Sequence, residues 1–184
     1  MQSFLAVSTV LLWGVVLFNL LLTLALVRRV NTQRKTAEES VSEVIKYDLL
    51  KPGEAAPEFV ATTLDGNEVT LAKYLGRIVM FVFISSGCAP CHEMVPEVQK
   101  MSSKARAKGI ELVFVSQNDL LTTQNFLKKF SSNDVPVLIA PKAGNRFLLD
   151  YKVPGTPFLY LIDVQGLVQD YGFIEKWHAL ASQW

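Results

Sequence analysis

Cys88 and Cys91 are the only cysteines in the 184-residue chain, and just Ala89 and Pro90 separate them. A pair this close is a poor staple, because a disulfide stabilises through the length of the loop it closes and this loop is minimal. The spacing suits chemistry instead. A thiolate attacks a disulfide sulfur, forms a mixed disulfide, and is displaced by a second thiol within reach. Ser85-Ser86-Gly87-Cys88-Ala89-Pro90-Cys91-His92 lies where an apolar run ends and an amphipathic repeat begins, so the first sulfur falls at a strand-to-helix junction. There it meets unpaired backbone N–H groups and the positive end of a helix dipole, both of which favour thiolate over thiol. Cys88 is therefore the expected nucleophile, and Cys91, one turn inside the helix, the resolving thiol. Pro90 suits the first helical turn and stiffens the bridge between the two.

The positioning elements follow from the apolar pattern. Ile78-Val79-Met80-Phe81-Val82-Phe83-Ile84 is a continuous run rich in β-branched and aromatic residues, as a strand buried on both faces requires. Met94, Val95, Val98 and Met101 then recur every three or four residues up to Gly109, which predicts a helix with the cysteines at its start. Residues 111–116 read as a second buried strand, Asn118 or Asp119 as the cap of a helix through Phe130, and residues 137–140 as a third strand. A short helix over 146–151 and the loop Val153-Pro154-Gly155-Thr156-Pro157 come next. Strands over 158–163 and 167–173 form a hairpin about Gln165-Gly166, and residues 175–184 read as a closing helix. Upstream, residues 59–63 and 68–71 flank Leu64-Asp65-Gly66-Asn67, and an Asp-Gly between two such runs signals another hairpin. The predicted fold class is α/β, a mixed sheet with helices on its faces.

Composition narrows the function classes. With 18 Lys and Arg against 17 Asp and Glu the net charge is +1, which offers no basic surface for nucleic acid. Half the residues are hydrophobic and the mean hydropathy is +0.26, high for a soluble domain, because apolar residues crowd the front. Residues 4–27 carry no charge, and at about 1.5 Å per residue they reach roughly 36 Å, enough to cross a hydrocarbon core of about 30 Å. A cleaved signal peptide fits less well: Met1 to Ser3 hold no Lys or Arg, the apolar core is long, and Val27-Arg28-Arg29 is a poor cleavage context. The chain therefore divides into a transmembrane anchor (1–27), a partly helical stalk (28–51) and one soluble domain (52–184). In the stalk, Thr36-Ala37-Glu38-Glu39 has the form of a capping box, and Val41, Val44, Ile45 and Leu49 make an apolar stripe too short for a coiled coil. Arg28, Arg29, Arg34 and Lys35 flank the end of the anchor, and the positive-inside rule alone puts that end in the cytoplasm.

Taken together, the hydrophobic strand, Cys88-Ala89-Pro90-Cys91, the helix, and the later Gly155-Thr156-Pro157 before a strand resemble the thioredoxin superfamily. Gly53-Glu54-Ala55-Ala56-Pro57-Glu58-Phe59, followed by Leu64-Asp65-Gly66 with Val69 and Leu71, is similar to the N-terminal hairpin of its membrane-anchored TlpA/ResA-like branch. The apolar segment ending in Arg28-Arg29-Val30 and the stretch Asp163-Val164-Gln165-Gly166-Leu167-Val168 are similar to the thioredoxin-like accessory proteins of methylamine dehydrogenase maturation. The resemblance implies a thioredoxin-like fold with an N-terminal β-hairpin extension and exchange of disulfides with protein thiols. Cys88 attacks, Cys91 resolves, Gly87 and Pro90 support them, and Thr156 and Pro157, joined by a cis bond, shape the substrate surface. It also implies no cofactor, an extracytoplasmic domain, a membrane electron donor or acceptor as partner, and work as a reductase in maturation of cytochrome c or of an extracytoplasmic enzyme.

Departures from the pattern sharpen the expectations. Gly87 stands where many relatives have Trp, so the apolar platform beside the site is missing. Val82 stands where thioredoxins carry a buried acid, which leaves proton transfer to water or to Glu93. His92 follows the pair rather than dividing it and reads as a solvated surface histidine. Cys88-x-x-Cys91-His92 also fits a c-type haem attachment motif, with Met94, Met101 or His178 as the second axial ligand, but the alternating strand and helix pattern and the Thr156-Pro157 loop argue against it. Zinc on Cys88, Cys91, His92 and His178 lacks a second close pair of ligands. Peroxide reduction wants Thr-x-x-Cys with a supporting Arg, of which Ser85-x-x-Cys88 is a faint echo. A non-enzymatic, membrane-anchored binding module would make the cysteines an inert bridge, a role the short loop suits badly.

Overall fold

In the computed structural model the apolar run Ile78–Ile84 forms the central strand, β3, and alternation along it builds two cores. The described residues are 48–130, 134–173 and 176–177, with 13, 14, 17, 19, 20 and 23. Successive side chains of a strand point to opposite faces. Val79, Phe81 and Phe83 accordingly enter one buried cluster, and Met80, Val82 and Ile84 the other. A strand apolar at every position must be covered on both sides, and this one is.

Around β3 stand β1 (Val60–Thr63), β2 (Glu68–Thr70), β4 (Ile110–Ser116), β5 (Val137–Ile139), β6 (Phe158–Ile162) and β7 (Val168–Gly172). The order across the sheet is β2-β1-β5-β4-β3-β6-β7. β3 runs parallel to β4, and β4 to β5, whereas β6 is antiparallel to β3 and to β7, and β1 to β2 and β5. The sheet is mixed, as expected, and the Asp65-Gly66 turn makes the N-terminal hairpin, with Gly66 at φ +81°. The parallel crossovers carry α1 (Ala89–Ala107) and α2 (Leu120–Leu127), and α3 (Phe147–Asp150) precedes the loop into β6.

The two cores differ in character. Phe81 sits in an aromatic cluster, with ring centroids 5.5 Å from Phe59, 5.2 Å from Tyr74 and 5.6 Å from Phe147, all near edge-on. Edge-to-face packing of this kind adds to the gain from burial alone. Burial holds the Tyr74 and Tyr151 hydroxyls above the ordinary phenol range, so both stay neutral. On the opposite face α1 buries Met94, Val95 and Val98 against Met80, Val82 and Ile84, and Trp177 joins them at 1% exposure.

Several elements are shorter than their sequence pattern suggested. The helix expected through Phe130 ends at Leu127, and Asp119 rather than Asn118 caps it. Lys176 and Trp177 are helical, while the rest of the expected closing helix lies outside the described residues. The stalk stripe from Val41 to Ile45 also lies outside them. Leu50 is buried in the compact unit running from Tyr47 to Trp184, so its apolar contacts begin within segment 28–51. The expected anchor falls almost wholly outside the described residues. Within it Trp13, Gly14, Leu17, Asn19, Leu20 and Thr23 are helical, and the Thr23 hydroxyl donates to the Asn19 carbonyl at 2.8 Å. No helix among the described residues is long and apolar enough to cross a membrane.

The Asp119 cap gives a pH dependence with a definite sign. Its carboxylate accepts from the Thr122 backbone N–H and from the Thr122 hydroxyl, each at 2.8 Å, and these bonds hold its pKa below the usual aspartate value. A carboxyl depressed on folding contributes stability that is complete above its unfolded pKa and is lost as pH falls through the folded value. Asp119→Ala should therefore be less stable than the parent at neutral pH, and the gap should shrink below about pH 3. Urea midpoints at both pH values check this.

Candidate active site

Residues 85–88 leave the end of β3 and turn directly into α1, and Cys88 occupies the N-cap position. Helix N-caps are normally filled by Ser, Thr, Asp or Asn, whose oxygen accepts an N–H of the first turn. Here sulfur takes that place: the Cys91 N–H points at Cys88 Sγ at 3.2 Å. An acceptor bond from a backbone amide at the positive end of a helix favours sulfur carrying negative charge. The expected strand-to-helix junction is present.

The two sulfurs differ in access. Cys88 and Cys91 are joined in a disulfide, with Cα atoms 5.3 Å apart. Cys91 is fully buried against Met94 and the rest of the α1 core, while Cys88 is half-buried at the surface. Across the sheet, the Thr156–Pro157 bond is cis and the Thr156 carbonyl oxygen lies 3.2 Å from Cys88 Sγ. The fold therefore brings together residues 68 positions apart, so that the Thr156-Pro157 loop meets the Cys88–Cys91 pair.

Pro90 lies in the first turn of α1, where its missing N–H costs nothing. Gly87 needs a different account. A Cβ there would meet nothing within 4 Å and its φ is not left-handed, so neither crowding nor backbone strain requires glycine. What its lack of a side chain does is leave Cys88 uncovered on that side. Val82 is fully buried between Phe114 and Leu159 in register, which confirms that no acid lies under the pair on β3. Glu93, offered as a proton-transfer group, is exposed on α1, and no hydrogen bond joins it to either sulfur.

His92 is a correction. It is not a solvated surface histidine: the ring is half-buried, lies edge-on to Phe126 with centroids 4.9 Å apart, and places Nε2 3.0 Å from the Ser86 carbonyl oxygen. The reason is the helical turn, which swings a residue four after Cys88 back over the loop that precedes it. The haem reading loses its geometry as well. Thioether attachment needs both sulfurs free of each other, Met94 is wholly buried in the core, Met101 is half-buried against the same core, and His178 lies outside the described residues. The zinc reading also needs His178, which lies outside the described residues, and its two cysteines are joined to each other. For peroxide reduction, Arg77 pairs with Glu111 at the far end of β3 and β4, and Arg146 pairs with Asp150 on α3. Among the described residues no arginine contacts Cys88.

One contact escaped the sequence reading. Asn118, read as a possible cap, instead accepts the Ser86 N–H through Oδ1 at 2.8 Å. Its position just past a buried strand, paired with a second cap candidate at Asp119, was the available signal: one of two adjacent cap residues must face elsewhere.

An uncovered half-buried cysteine capping a helix, a buried partner one turn in, and a cis-proline loop against the first sulfur define a thioredoxin-like thiol-disulfide oxidoreductase. The chain belongs to the AhpC/TSA family, whose model matches residues 52–171. It is similar to the thiol-disulfide oxidoreductase ResA of Bacillus thuringiensis subsp. konkukian, 28% identical over 67% of this chain and 70% of that protein. It is also similar to the methylamine utilization protein MauD of Paracoccus denitrificans, 27% identical over 99% of this chain and 88% of that one. Among solved structures, a putative thiol:disulfide interchange protein DsbE from Chlorobium tepidum superposes with a TM-score of 0.61 at 28% identity, covering 72% of this chain and 98% of that chain.

The difference in access is directly measurable. After reduction, iodoacetamide should modify Cys88 at least about tenfold faster than Cys91, because reactivity follows thiolate character and exposure. Peptide mapping after brief alkylation reads the ratio, and equal labelling would mean that the first turn of α1 opens when the disulfide does.

Proposed function

We propose that the protein is a membrane-anchored reductase of protein disulfides, with its thioredoxin-like domain on the outer face of the cytoplasmic membrane. The observation that carries this reading is the asymmetry of the pair: the reachable sulfur is the one held by the Cys91 N–H, and the shielded one is a helical turn behind it. The Cys88 thiolate attacks a client disulfide, forms a mixed disulfide and releases one client thiolate. The Cys91 thiolate then attacks Cys88 Sγ, expels the second client thiol and closes the Cys88–Cys91 bond. The client gains two electrons, and a membrane electron donor must return two electrons and two protons to the pair.

Client binding falls to the surface beside Thr156 and Pro157. A groove of about 270 Å³ adjoins it through Gly155, lined by Leu148, Leu149, Val153 and Pro154 together with Lys142 and Asn145. Leu149 is 66% exposed, an apolar contact offered to a partner chain. Maturation of cytochrome c or of another extracytoplasmic enzyme is the proposed role. The match to MauD extends over 99% of the chain and so includes the apolar N-terminal segment.

Two experiments test the proposal. The full chain, equilibrated in thiol buffers and read by alkylation of Cys88 and Cys91, should show a reduction potential near or below the roughly −270 mV of thioredoxin. A value near the roughly −120 mV of a strong disulfide donor would overturn the direction of electron flow. Cys88→Ser should abolish exchange, and unchanged activity in that variant would sink the assignment altogether. For location, Cys91→Ala in intact cells should hold a client as a mixed disulfide that an externally added, membrane-impermeant reductant releases. Release only after lysis would place the domain in the cytoplasm, as the Arg28, Arg29, Arg34 and Lys35 cluster would have it.

A further inference from the structure

Ser86, two residues before the nucleophile, is gripped from both sides by side chains of two different elements. Its N–H donates to Asn118 Oδ1 at 2.8 Å from the turn between β4 and α2, and its carbonyl oxygen lies 3.0 Å from His92 Nε2 on α1. A carbonyl only accepts, so Nε2 carries the proton in this bond. Neither grip is loose. Asn118 is held by its own N–H, which donates to the Ser116 hydroxyl at 3.2 Å, and Ser116 in turn bonds the Thr123 hydroxyl at 2.6 Å. Ser116 is 1% exposed and Thr123 is fully buried, so this polar pair lies within the packed junction of β4 and α2. Thr123 closes the network on the Asp119 carbonyl at 2.8 Å. On the other side the His92 ring is wedged edge-on against Phe126 and Phe130, at 4.9 and 6.4 Å.

The consequence appears when the disulfide opens. In the oxidised protein the bond to Cys91 itself fixes Cys88. Once reduced, Cys88 hangs on a loop in which Gly87 has no side chain, and the Cys88 N–H to Ser85 carbonyl bond at 3.2 Å is a weak tether. The Cys91 N–H can stabilise the Cys88 thiolate only while the two stay within bonding distance. The two bonds to Ser86 are side-chain restraints that do not depend on the redox state, and they add to the backbone bonds from the Cys88 N–H to the Ser85 carbonyl and from the Cys91 N–H to the Cys88 carbonyl at 3.1 Å.

We infer that His92 and Asn118 are positioning residues that clamp Ser86 and so hold the Cys88 thiolate against the Cys91 N–H in the reduced enzyme. This rests on the reading of Cys88 as the attacking thiol. Loss of either grip weakens the reduced form while the disulfide still secures the oxidised one, so the pair becomes harder to reduce.

His92→Phe keeps a ring against Phe126 and removes the donor, His92→Gln restores a donor on a flexible chain, and Asn118→Ala removes the other grip. The full-length variants are equilibrated with glutathione and the Cys88–Cys91 state is read by alkylation. His92→Phe and Asn118→Ala should each lower the equilibrium constant for reduction about three- to tenfold, which is about 15 to 30 mV more negative. His92→Gln should recover most of that shift, and the thermal midpoint of the oxidised form should move far less than the potential implies. An unchanged potential in either His92→Phe or Asn118→Ala overturns the clamp, as does a His92→Gln shift equal to that of His92→Phe, which would leave packing rather than hydrogen bonding as the cause. Cys88→Ser, run alongside, separates the two levels: if it is inactive while the clamp variants match the parent, this inference alone fails, and if it is active the underlying assignment fails.

Discussion

The site depends on the Cys91 N–H, which is shared between the sulfur of Cys88 at 3.2 Å and the Cys88 carbonyl at 3.1 Å. A helix must begin with orphaned N–H groups, and a protein usually satisfies one of them with an oxygen from the N-cap side chain. Placing sulfur there satisfies the same need, and the acceptor becomes a better one when it loses its proton. Helix formation and thiolate formation are thereby coupled. The sequence of α1 contributes to this arrangement at both ends. Pro90 sits where no N–H is required, and Pro96, inside the helix, has none to offer the His92 carbonyl, which weakens the ladder one turn beyond the site.

That bond can exist only if the strand before it is immovable. β3 is the central strand and is flanked on both sides, by β4 in parallel and β6 antiparallel, with six of its seven residues buried. Its register with β6 sets Phe83 opposite Phe158, so the residue following Pro157 is locked to the end of β3. The approach of Thr156 to Cys88 is thus a product of sheet register rather than of loop flexibility. The two cores divide the labour. The aromatic cluster around Phe59, Phe81 and Phe147 ties the N-terminal hairpin and α3 to the sheet, and the opposite face, with Met80, Val82, Ile84, Phe114 and Trp177, seats α1 and shields Cys91.

The parts of this arrangement legible in sequence were those governed by periodicity and by local backbone chemistry. The run at 78–84 could hardly be anything but a doubly buried strand, and the repeat from Met94 to Met101 fixed the face that α1 turns inward. Cys88 at their junction followed at once. Its pairing with Thr156 across 68 positions did not follow from spacing and entered through family resemblance. The roles of His92 and Asn118 were not legible, for a physical reason: each is set by which neighbour wins a competition. Asp119 takes the cap of α2 with two bonds to Thr122, which leaves Asn118 free to turn toward Ser86. His92 is drawn inward by Phe126, a residue of another helix, and no pattern along α1 records that.

Glycine at position 87 links the remaining features. An aromatic residue before the first cysteine would offer a client an apolar contact on the α1 side and would also brace the loop. With Gly87 both contributions are absent from that side, and nothing in the local packing compels the choice. The loop is braced instead by two half-buried side chains, His92 and Asn118, that reach the peptide of Ser86. The apolar surface lies across the site, at Leu149, Val153 and Pro154, next to the loop that carries Thr156. On the proposed reading, a client then approaches Cys88 over an open floor and takes its apolar contact from the α3 side. Because the brace grips the Ser86 peptide rather than position 87, the opening at Gly87 remains without loss of control over the sulfur.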